Sequence, residues 1–395
     1  MSILQDLHLS RRPLMAFVAV GIAWGSLAAV VPPLKAQIGA SDALYGLLML
    51  GATCGAVMAM WLGPLAVRLF GTRAMILGTC GVALGFALVP HAPNPVLYAC
   101  AMFVAACGSG VADVLANAEI SESEARTGRA LMNLNHAMFS FSFAIAATLT
   151  GVARQAGVPP TGVMACVALA CLGLAALMRG SGDSAPEEDT STPSSRLPLG
   201  LVSLGGIVVL FAFLVEAATE GWSALHLERT LGGVPAQGAL GPALFALMMG
   251  VGRFSGHLVA SRISELWLMG LASALSAIGF LCVGAAPTLL VAYIGFAMAG
   301  LGISVVGPLA LGLVGRTVRP NLRLTAISRV AATGYAAFFF GPPLMGGLAQ
   351  MFGLRVSFVV VALLLFGAAL VLVPALGRAI SREVSARDAL HAGKS

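Results

Sequence analysis

Residues 180–198, GSGDSAPEEDTSTPSSRLP, are the one long polar stretch in a chain of 395 residues. They are rich in Ser, Pro, Gly and acidic residues, which is the composition of a flexible linker. On both sides of this stretch apolar runs follow one another, each close to the roughly 20 residues that a helix needs to cross a bilayer. Six runs precede the linker and six follow it. The sequence therefore predicts an all-α integral membrane protein with twelve transmembrane helices.

We number these runs as spans 1 to 12. Their predicted bounds are 13–33, 43–66, 73–91, 95–119, 129–153, 159–179, 199–221, 236–261, 264–285, 287–313, 323–349 and 354–377. The predicted units are an N-terminal six-helix bundle at 1–179, a cytoplasmic linker at 180–198 and a C-terminal six-helix bundle with a cytoplasmic tail at 199–395. Gly-rich elements and loop lengths recur in corresponding spans of the two halves, which indicates a duplicated, pseudo-symmetric unit.

The composition supports a membrane protein and excludes several other classes. Charged residues are 10% and hydrophobic residues 58% of the chain, with a mean hydropathy of +0.94, whereas soluble domains carry roughly 25% charged residues. The net charge of +6 is spread over loops without a basic patch, so we expect no nucleic-acid partner. The seven cysteines lie inside apolar runs without metal-ligand spacing, so we expect neither a metal site nor a cofactor.

The basic residues predict the orientation. Sixteen of the 22 Lys and Arg residues fall in the terminal segments, the linker and the loops on one side, and four fall on the other side: Lys35, Arg154, Arg229 and Arg355. Cytoplasmic loops carry the excess of Lys and Arg in membrane proteins. We therefore expect a multi-pass protein of the inner (plasma) membrane with both termini in the cytoplasm.

Ionisable residues inside spans are costly, so each is a candidate for function. Asp113 in span 4 and His136 in span 5 fall at similar depth because a short loop joins the two helices, and Asn117 lies one turn from Asp113. A carboxyl group beside an imidazole can exchange protons near neutral pH. We predict that Asp113, His136 and Glu216 carry coupling protons. The alternative for the first two is a structural hydrogen-bond cluster that holds spans 4 and 5 together.

The predicted substrate cavity combines polar and aromatic residues of spans 1, 4, 5, 7 and 11. Its candidates are Trp24, Asn117, Asn133, Ser140, Glu216, Glu220, Trp222, Arg329 and Tyr335. Several of them have alternatives. Glu220 can lie in the water of the lipid headgroups, and Arg329 can extend to the cytoplasmic surface instead of pairing with Asp113 or an anionic substrate. Trp24 and Tyr335 can serve ordinary packing, and Ser140 can form an internal hydrogen bond to the backbone.

Twelve spans, a central linker and two cytoplasmic ends resemble the major facilitator superfamily. Residues 63–73, GPLAVRLFGTR, resemble its signature between spans 2 and 3, although they lack its Asp. Residues 252–258, GRFSGHL, in the last part of predicted span 8, are similar to the matching element between spans 8 and 9. The resemblance implies transport by alternating access. It also implies a conformational lock formed by Arg68, Arg73, Arg253 and His257.

Four further segments resemble the fucose-permease-like branch of that superfamily. They are GVADVLANA at 110–118, LMNLNHAMFS at 131–140, EAATEGWSAL at 216–225 and GYAAFFFGPPLMGG at 334–347. This resemblance implies a carrier of a small solute, a sugar or a related polar compound, together with protons. We expect the protein to be a monomer.

Two alternatives stay open at this point. Four Trp and four Tyr are few for stacking on sugar rings, and the small number of buried polar groups also suits proton-driven efflux of an amphipathic molecule. The missing Asp in residues 63–73 also allows a transporter-like sensor without net transport. An enzyme is not expected, because the sequence shows no catalytic triad, metal-ligand cluster or nucleotide-binding loop.

Overall fold

The structure, a computed structural model, describes residues 3–178, 197–260, 264–319 and 322–392. Within these ranges the secondary structure is helical and contains no strand. All twelve predicted spans are present as helices, so the predicted fold class is confirmed. The predicted linker lies outside the described residues except for its last two positions.

The first half consists of spans 1 to 6, preceded by a short helix at Ile3–Leu9. Their helices are Arg11–Gln37 for span 1, Asp42–Leu48 with Leu50–Phe70 for span 2, Ala74–Leu88 for span 3, Pro95–Thr127 for span 4, Met132–Gln155 for span 5 and Pro160–Leu177 for span 6. Span 4 begins at an Asn94 cap whose side chain accepts a hydrogen bond from the Leu97 backbone, which satisfies one of the free amides at the helix start.

The second half consists of spans 7 to 12. Their helices are Leu199–Leu225 for span 7, Pro235–Ala260 for span 8, Glu265–Ala285 for span 9, Leu289–Ile303 with Val306–Thr317 for span 10, Ala337–Phe352 after Arg323–Tyr335 for span 11, and Leu354–Gly367 with Val373–Ala392 for span 12. Single turns of π-helix at His226–Thr230 and Ala368–Leu372 extend span 7 and connect the two helices of span 12.

Length and hydropathy alone recover most of these spans. Ten stretches of the described residues meet both criteria for crossing a membrane, and one of them, Asp42–His91, contains spans 2 and 3 together. Span 11 is not among the ten. Its second helix contains Pro342 and Pro343 along with several glycines, which lowers its mean hydropathy even though it packs inside the bundle.

The helix bundle has two ends, which we call the termini face and the opposite face. The termini face holds residue 11, the connections near residues 71 and 128, and the helix Val373–Ala392. The opposite face holds the connections at 38–41, 156–159 and 226–234. Because consecutive spans are antiparallel, each connection lies at one of these two faces.

Two pairs of spans pack across the boundary between the halves: span 5 packs against span 8, and span 2 packs against span 11. At the second contact a Cβ atom on Gly46 would lie 2.3 Å from the Pro342 carbonyl oxygen, and one on Gly346 would lie 2.5 Å from the Asp42 carbonyl oxygen. Only glycine allows backbones to approach so closely. The halves are therefore in tight contact near the opposite face.

Candidate functional site

A chain of polar contacts crosses between the halves in the middle of the bundle. The Arg253 guanidinium of span 8 donates from Nη1 to Ser140 Oγ of span 5 at 3.1 Å, and its Nη2 lies 3.6 Å from Glu216 Oε1 of span 7. Ser140 Oγ in turn donates to the His136 carbonyl oxygen at 3.1 Å. The Arg253 and Glu216 side chains are only 14% and 19% exposed. One guanidinium therefore connects a carboxylate of its own half to a hydroxyl group of the other half.

The predicted Asp113–His136 pair is joined through Asn117. His136 Nε2 lies 3.2 Å from Asn117 Oδ1, and Asn117 Nδ2 donates to the Asp113 carbonyl oxygen at 2.9 Å. The Asn117 side chain also lies near enough to the Asp113 carboxyl group to interact with it. The other side of the imidazole packs on Phe17, with ring centroids 4.7 Å apart. Spans 4 and 5 thus bring the three predicted polar residues together, with the amide between the acid and the imidazole.

Aromatic side chains of spans 7 and 11 lie beside these polar groups. Phe213, Tyr335 and Phe338 have ring centroids 5.4 to 6.0 Å apart. The carboxyl groups of Asp113 and Glu216 lie near enough to the Tyr335 hydroxyl group to interact with it electrostatically. The predicted cavity residue Tyr335 therefore belongs to an aromatic cluster and interacts with an acid of each half.

Two neighbouring residues of span 7 have different surroundings. Glu220 lies one turn beyond Glu216, within electrostatic reach of both that acid and Arg253. Trp222 is 1% exposed and packs edge-on against Tyr45 of span 2, with ring centroids 5.3 Å apart. The indole therefore belongs to the packing between the halves toward the opposite face, whereas Glu220 belongs to the central polar group.

The other predicted cavity residues are more dispersed. Trp24 donates from Nε1 to Ser109 Oγ at 3.2 Å and packs edge-on against Phe86, so its indole is anchored within the first half. Asn133 is exposed one turn before the imidazole of span 5, and Arg329 is exposed in the first helix of span 11. The structure places these last two on accessible surface toward the termini face.

The segment predicted to form the conformational lock lies at the termini face. Arg68 and Arg73 are exposed there. The connection between spans 2 and 3 is instead held by Arg12, whose Nη2 donates to the Thr72 carbonyl oxygen at 2.6 Å and whose Nη1 lies 3.6 Å from Glu119 Oε2. The sequence analysis missed this anchoring role of Arg12.

Arg253 lies inside span 8, in agreement with the predicted bounds of that span. Span 8 continues as a helix to Ala260, about 10 Å beyond Arg253 at 1.5 Å per residue. The guanidinium consequently lies in the central polar chain and contacts Ser140 and Glu216 instead of the loop after span 8. The side chain of His257, the other predicted lock residue of this segment, lies outside the described residues.

Two ion-pair clusters join the halves at the opposite face, and the sequence analysis did not predict either. In the first, Arg154 of span 5 binds both carboxylate oxygens of Glu228, at 2.7 and 3.0 Å. Arg154 Nη1 also donates to the Ala29 carbonyl oxygen at 2.5 Å. The Arg154 and Glu228 side chains are 8% and 16% exposed, so this pair is largely shielded from water.

The second cluster is centred on Asp42 at the start of span 2. Arg229 of the second half binds its two carboxylate oxygens at 2.8 and 2.7 Å, and Lys35 Nζ lies 2.9 Å from Oδ1. Asp42 is buried, whereas the Arg229 side chain is 45% exposed. Both clusters join residues that are far apart in sequence. The only sequence feature that pointed to these ion pairs was the presence of both acidic and basic residues in the connections of the two halves.

The arrangement can couple charge in the centre to contact between the halves. A proton or a charged solute that binds at Glu216 or Arg253 changes the interaction between them, and Arg253 also contacts span 5 of the other half. Within the described residues no group of three or more His, Cys, Asp or Glu side chains could hold a metal ion. The chemistry available here is ion pairing, hydrogen bonding and proton exchange.

The profile of the Major Facilitator Superfamily matches residues 205–392. A protein of Yersinia pestis, described as an uncharacterised MFS-type transporter, is 33% identical over 376 residues, which cover 93% of this chain and 94% of the relative. Membrane protein MosC of Rhizobium meliloti is 26% identical over 351 residues, which cover 86% of this chain and 83% of the relative.

Solved structures share the fold over nearly the whole chain. A bacterial homologue of the human lysosomal transporter Spinster, in an inward-facing and unoccupied conformation, superposes with a TM-score of 0.76 at 15% identity, covering 97% of this chain and 99% of the other. A D-xylose–proton symporter superposes with a TM-score of 0.76 at 16% identity, covering 94% and 97%.

Proposed function

The chain belongs to the major facilitator superfamily of membrane transporters, and on that premise we propose that it moves a small solute through the inner membrane by alternating access coupled to protons. The observation that carries this proposal is the contact of Arg253 with Glu216 in one half and with Ser140 in the other. An ionisable pair that also touches the opposite half can link its protonation state to the relative position of the halves.

Glu216 is the proposed site of the coupling proton. When a proton binds its carboxylate, the charge attraction to Arg253 is lost while the guanidinium stays positive. Arg253 is then free to bind an acceptor on the solute or to strengthen its bond to Ser140. Asp113, which lies near the same tyrosine as Glu216, is the second candidate. In this proposal the contact between Asn117 and His136 fixes spans 4 and 5 relative to each other where they line the solute site.

We infer that this structure is the inward-facing state. The two ion-pair clusters and the close backbone contact at Gly46 hold the halves together at the opposite face. The excess of Lys and Arg at the termini face supports a cytoplasmic location for that face by the positive-inside rule. Exposed Asn133 and Arg329 lie on the cytoplasmic side of the central polar chain, as an inward-open cavity requires.

The favoured solute is a sugar or a related polar compound taken up by symport, in line with the resemblance of four segments to the fucose-permease-like branch. Arg253, Asn117 and Ser140 offer the donors and acceptors that hydroxyl groups bind. A second candidate is proton-driven efflux of an amphipathic molecule. It is favoured by the cluster of Phe213, Tyr335 and Phe338 beside carboxylates, which suits a cation with an aromatic ring.

Proton movement in reconstituted vesicles tests the proposal. Sugars, nucleosides and cationic amphipathic compounds are added one at a time to the wild type, to Glu216→Gln and to Asp113→Asn. Glu122→Gln, which removes an acid near the cytoplasmic end of span 4, is the matched control. We expect one class of solute to start a proton flux that the control retains and Glu216→Gln loses.

The outcomes separate the alternatives. Solute uptake with no proton movement would reject coupling but keep the transporter. Flux that survives in both cavity variants would reject Glu216 and Asp113 as the carriers. A purified protein that binds solutes from the panel without moving any of them would favour the transporter-like sensor.

A further inference from the structure

A groove on the outer surface of the second half has the shape and polarity of a phospholipid site. It lies between the start of span 9 and the second helix of span 12 and has a volume of about 640 Å³. Its floor is apolar and includes Leu266, Val373 and the backbone of Gly270. A Cβ atom on Gly270 would have Val373 as its neighbour at 4.0 Å, so the missing side chain leaves usable space there.

The surroundings of the groove show that it faces lipid. Leu271 and Leu370, which flank it on spans 9 and 12, are 56% and 73% exposed, and Trp267 on its rim is 71% exposed. Clustered on the surface of membrane-spanning helices, such large apolar side chains form a patch that suits contact with acyl chains. Exposed Trp is typical of the level where acyl chains meet headgroups. The groove therefore begins among the acyl chains and ends at the headgroups.

The headgroup end of the groove is basic. Arg378 and Arg382 line it one helical turn apart, and Ser381 lies between them. None of the residues that line the groove is acidic. The neighbouring acid Glu265 is bound to Arg316 at 2.5 Å, so it does not neutralise the two arginines. Two adjacent guanidinium groups above an apolar floor are complementary to a phosphate group above acyl chains.

We propose that this groove binds one anionic phospholipid of the cytoplasmic leaflet. Its phosphate lies between Arg378 and Arg382, and an acyl chain lies along Leu266 and Val373 beside Gly270. The lipid joins spans 9 and 12 where a π-helical turn at Ala368–Leu372 interrupts span 12. The site is separate from the central polar chain of Arg253, Glu216 and Ser140, so this proposal does not depend on the identity of the solute.

Lipid retention by the purified full-length protein tests the proposal. Native mass spectrometry in detergent counts bound lipids as phosphatidylglycerol or phosphatidylcholine is titrated. We expect the wild type to bind one phosphatidylglycerol in preference to phosphatidylcholine. Arg378→Gln with Arg382→Gln should weaken that binding by roughly tenfold or more, since each basic residue near an anionic headgroup contributes about 1 kcal/mol. The control, Arg11→Gln with Arg319→Gln, changes the net charge equally and should retain binding.

Two further measurements keep the test decisive. Gly270→Leu fills the apolar floor without touching the arginines and should also reduce phosphatidylglycerol binding. Glycerophosphoglycerol, the headgroup without acyl chains, should not compete, whereas competition would indicate a site for a free phosphate compound. Equal binding of the two lipids, or equal loss in the arginine pair and its control, would overturn the proposal.

Discussion

Removing the charge of Glu228 should open the opposite face. The Glu228→Gln substitution keeps the size of the side chain but replaces a two-bond ion pair with neutral hydrogen bonds. Breaking a fully buried pair costs about 3–5 kcal/mol, and breaking an exposed one costs about 0–1 kcal/mol. With side chains 8% and 16% exposed, the pair of Arg154 and Glu228 lies between these limits. We expect about 2 kcal/mol, since Arg154 keeps its bond to the Ala29 carbonyl oxygen.

That free energy applies to only one of the two states, because the pair joins the halves only while the opposite face is closed. A cost of about 2 kcal/mol therefore shifts the equilibrium between closed and open forms by roughly 30-fold. A form that is 99% populated would fall to about 75–80% at this ratio. Such a change is large enough to be measured as a second population.

The assay is pulsed electron–electron double resonance, which measures the distance between two nitroxide labels. The labels are attached to cysteines introduced into a variant of the protein that lacks its native cysteines. Val158 and Val234 are suitable label sites because they are 38% and 45% exposed and lie at the opposite face, one in each half. The wild type should give one short distance, and Glu228→Gln should add a longer one. Glu265→Gln is the matched control, because its partner Arg316 lies in the same half. An unchanged distance distribution in Glu228→Gln would refute the assignment of this pair as a closure contact.

Three other substitutions test separate parts of the structure. Gly46→Val should lengthen the same label distance, because its Cβ atom would lie 2.3 Å from the Pro342 carbonyl oxygen when the face is closed; an unaltered distance would contradict the close contact. Asn94→Ala should destabilise the protein by about 1 kcal/mol through loss of the cap to Leu97, measured as a lower Tm in detergent, and Asn94→Asp should retain the wild-type value. Asp113→Asn should slow solute-dependent proton flux in vesicles, and full flux in this variant would assign Asp113 to the structural cluster.

The spans could be predicted from sequence because their signal is local. A run of about 20 apolar residues has few alternatives to a membrane helix, and each of the twelve predicted runs is a helix in the structure. The interruptions were less accessible. Spans 10, 11 and 12 were predicted as continuous. In the structure, span 10 breaks at residues 304–305, span 11 breaks between Tyr335 and Ala337, and span 12 passes through a π-turn at Ala368–Leu372. Pro308 and Pro374 follow the interruptions of spans 10 and 12, and each lacks the backbone N–H that a continuous helix would bond to the carbonyl four residues earlier. Other prolines, such as Pro64 and Pro242, lie inside helices that continue, so a proline alone does not locate a break.

The same distinction applies to the residues of the candidate site: those with a local sequence signal could be predicted, and those defined by long-range contacts could not. Asp113, His136 and Glu216 were identified because an ionisable residue inside an apolar run is conspicuous by itself. Arg253 was assigned to the lock because its sequence neighbours resemble a loop signature, whereas its contacts are set by the approach of spans 5 and 7. Glu228 was not predicted to be a functional residue. From sequence alone, an acidic residue in a short connection cannot be distinguished from a solvent-exposed one, because its partner Arg154 is distant in sequence.

The distribution of the polar contacts determines what transport requires of this chain. At the opposite face the ion pairs of Glu228 and Asp42 join the two halves, whereas at the termini face Arg12 with Glu119 and Arg316 with Glu265 each lie within one half. Opening the opposite face therefore loses contacts that these two pairs do not replace. The difference must be offset by binding in the centre, through the contacts of Arg253, since a ligand shifts an equilibrium only by its differential affinity for the two states. A solute or proton bound between the halves should consequently bind the outward-open form more tightly by about 2–3 kcal/mol, or 30- to 150-fold.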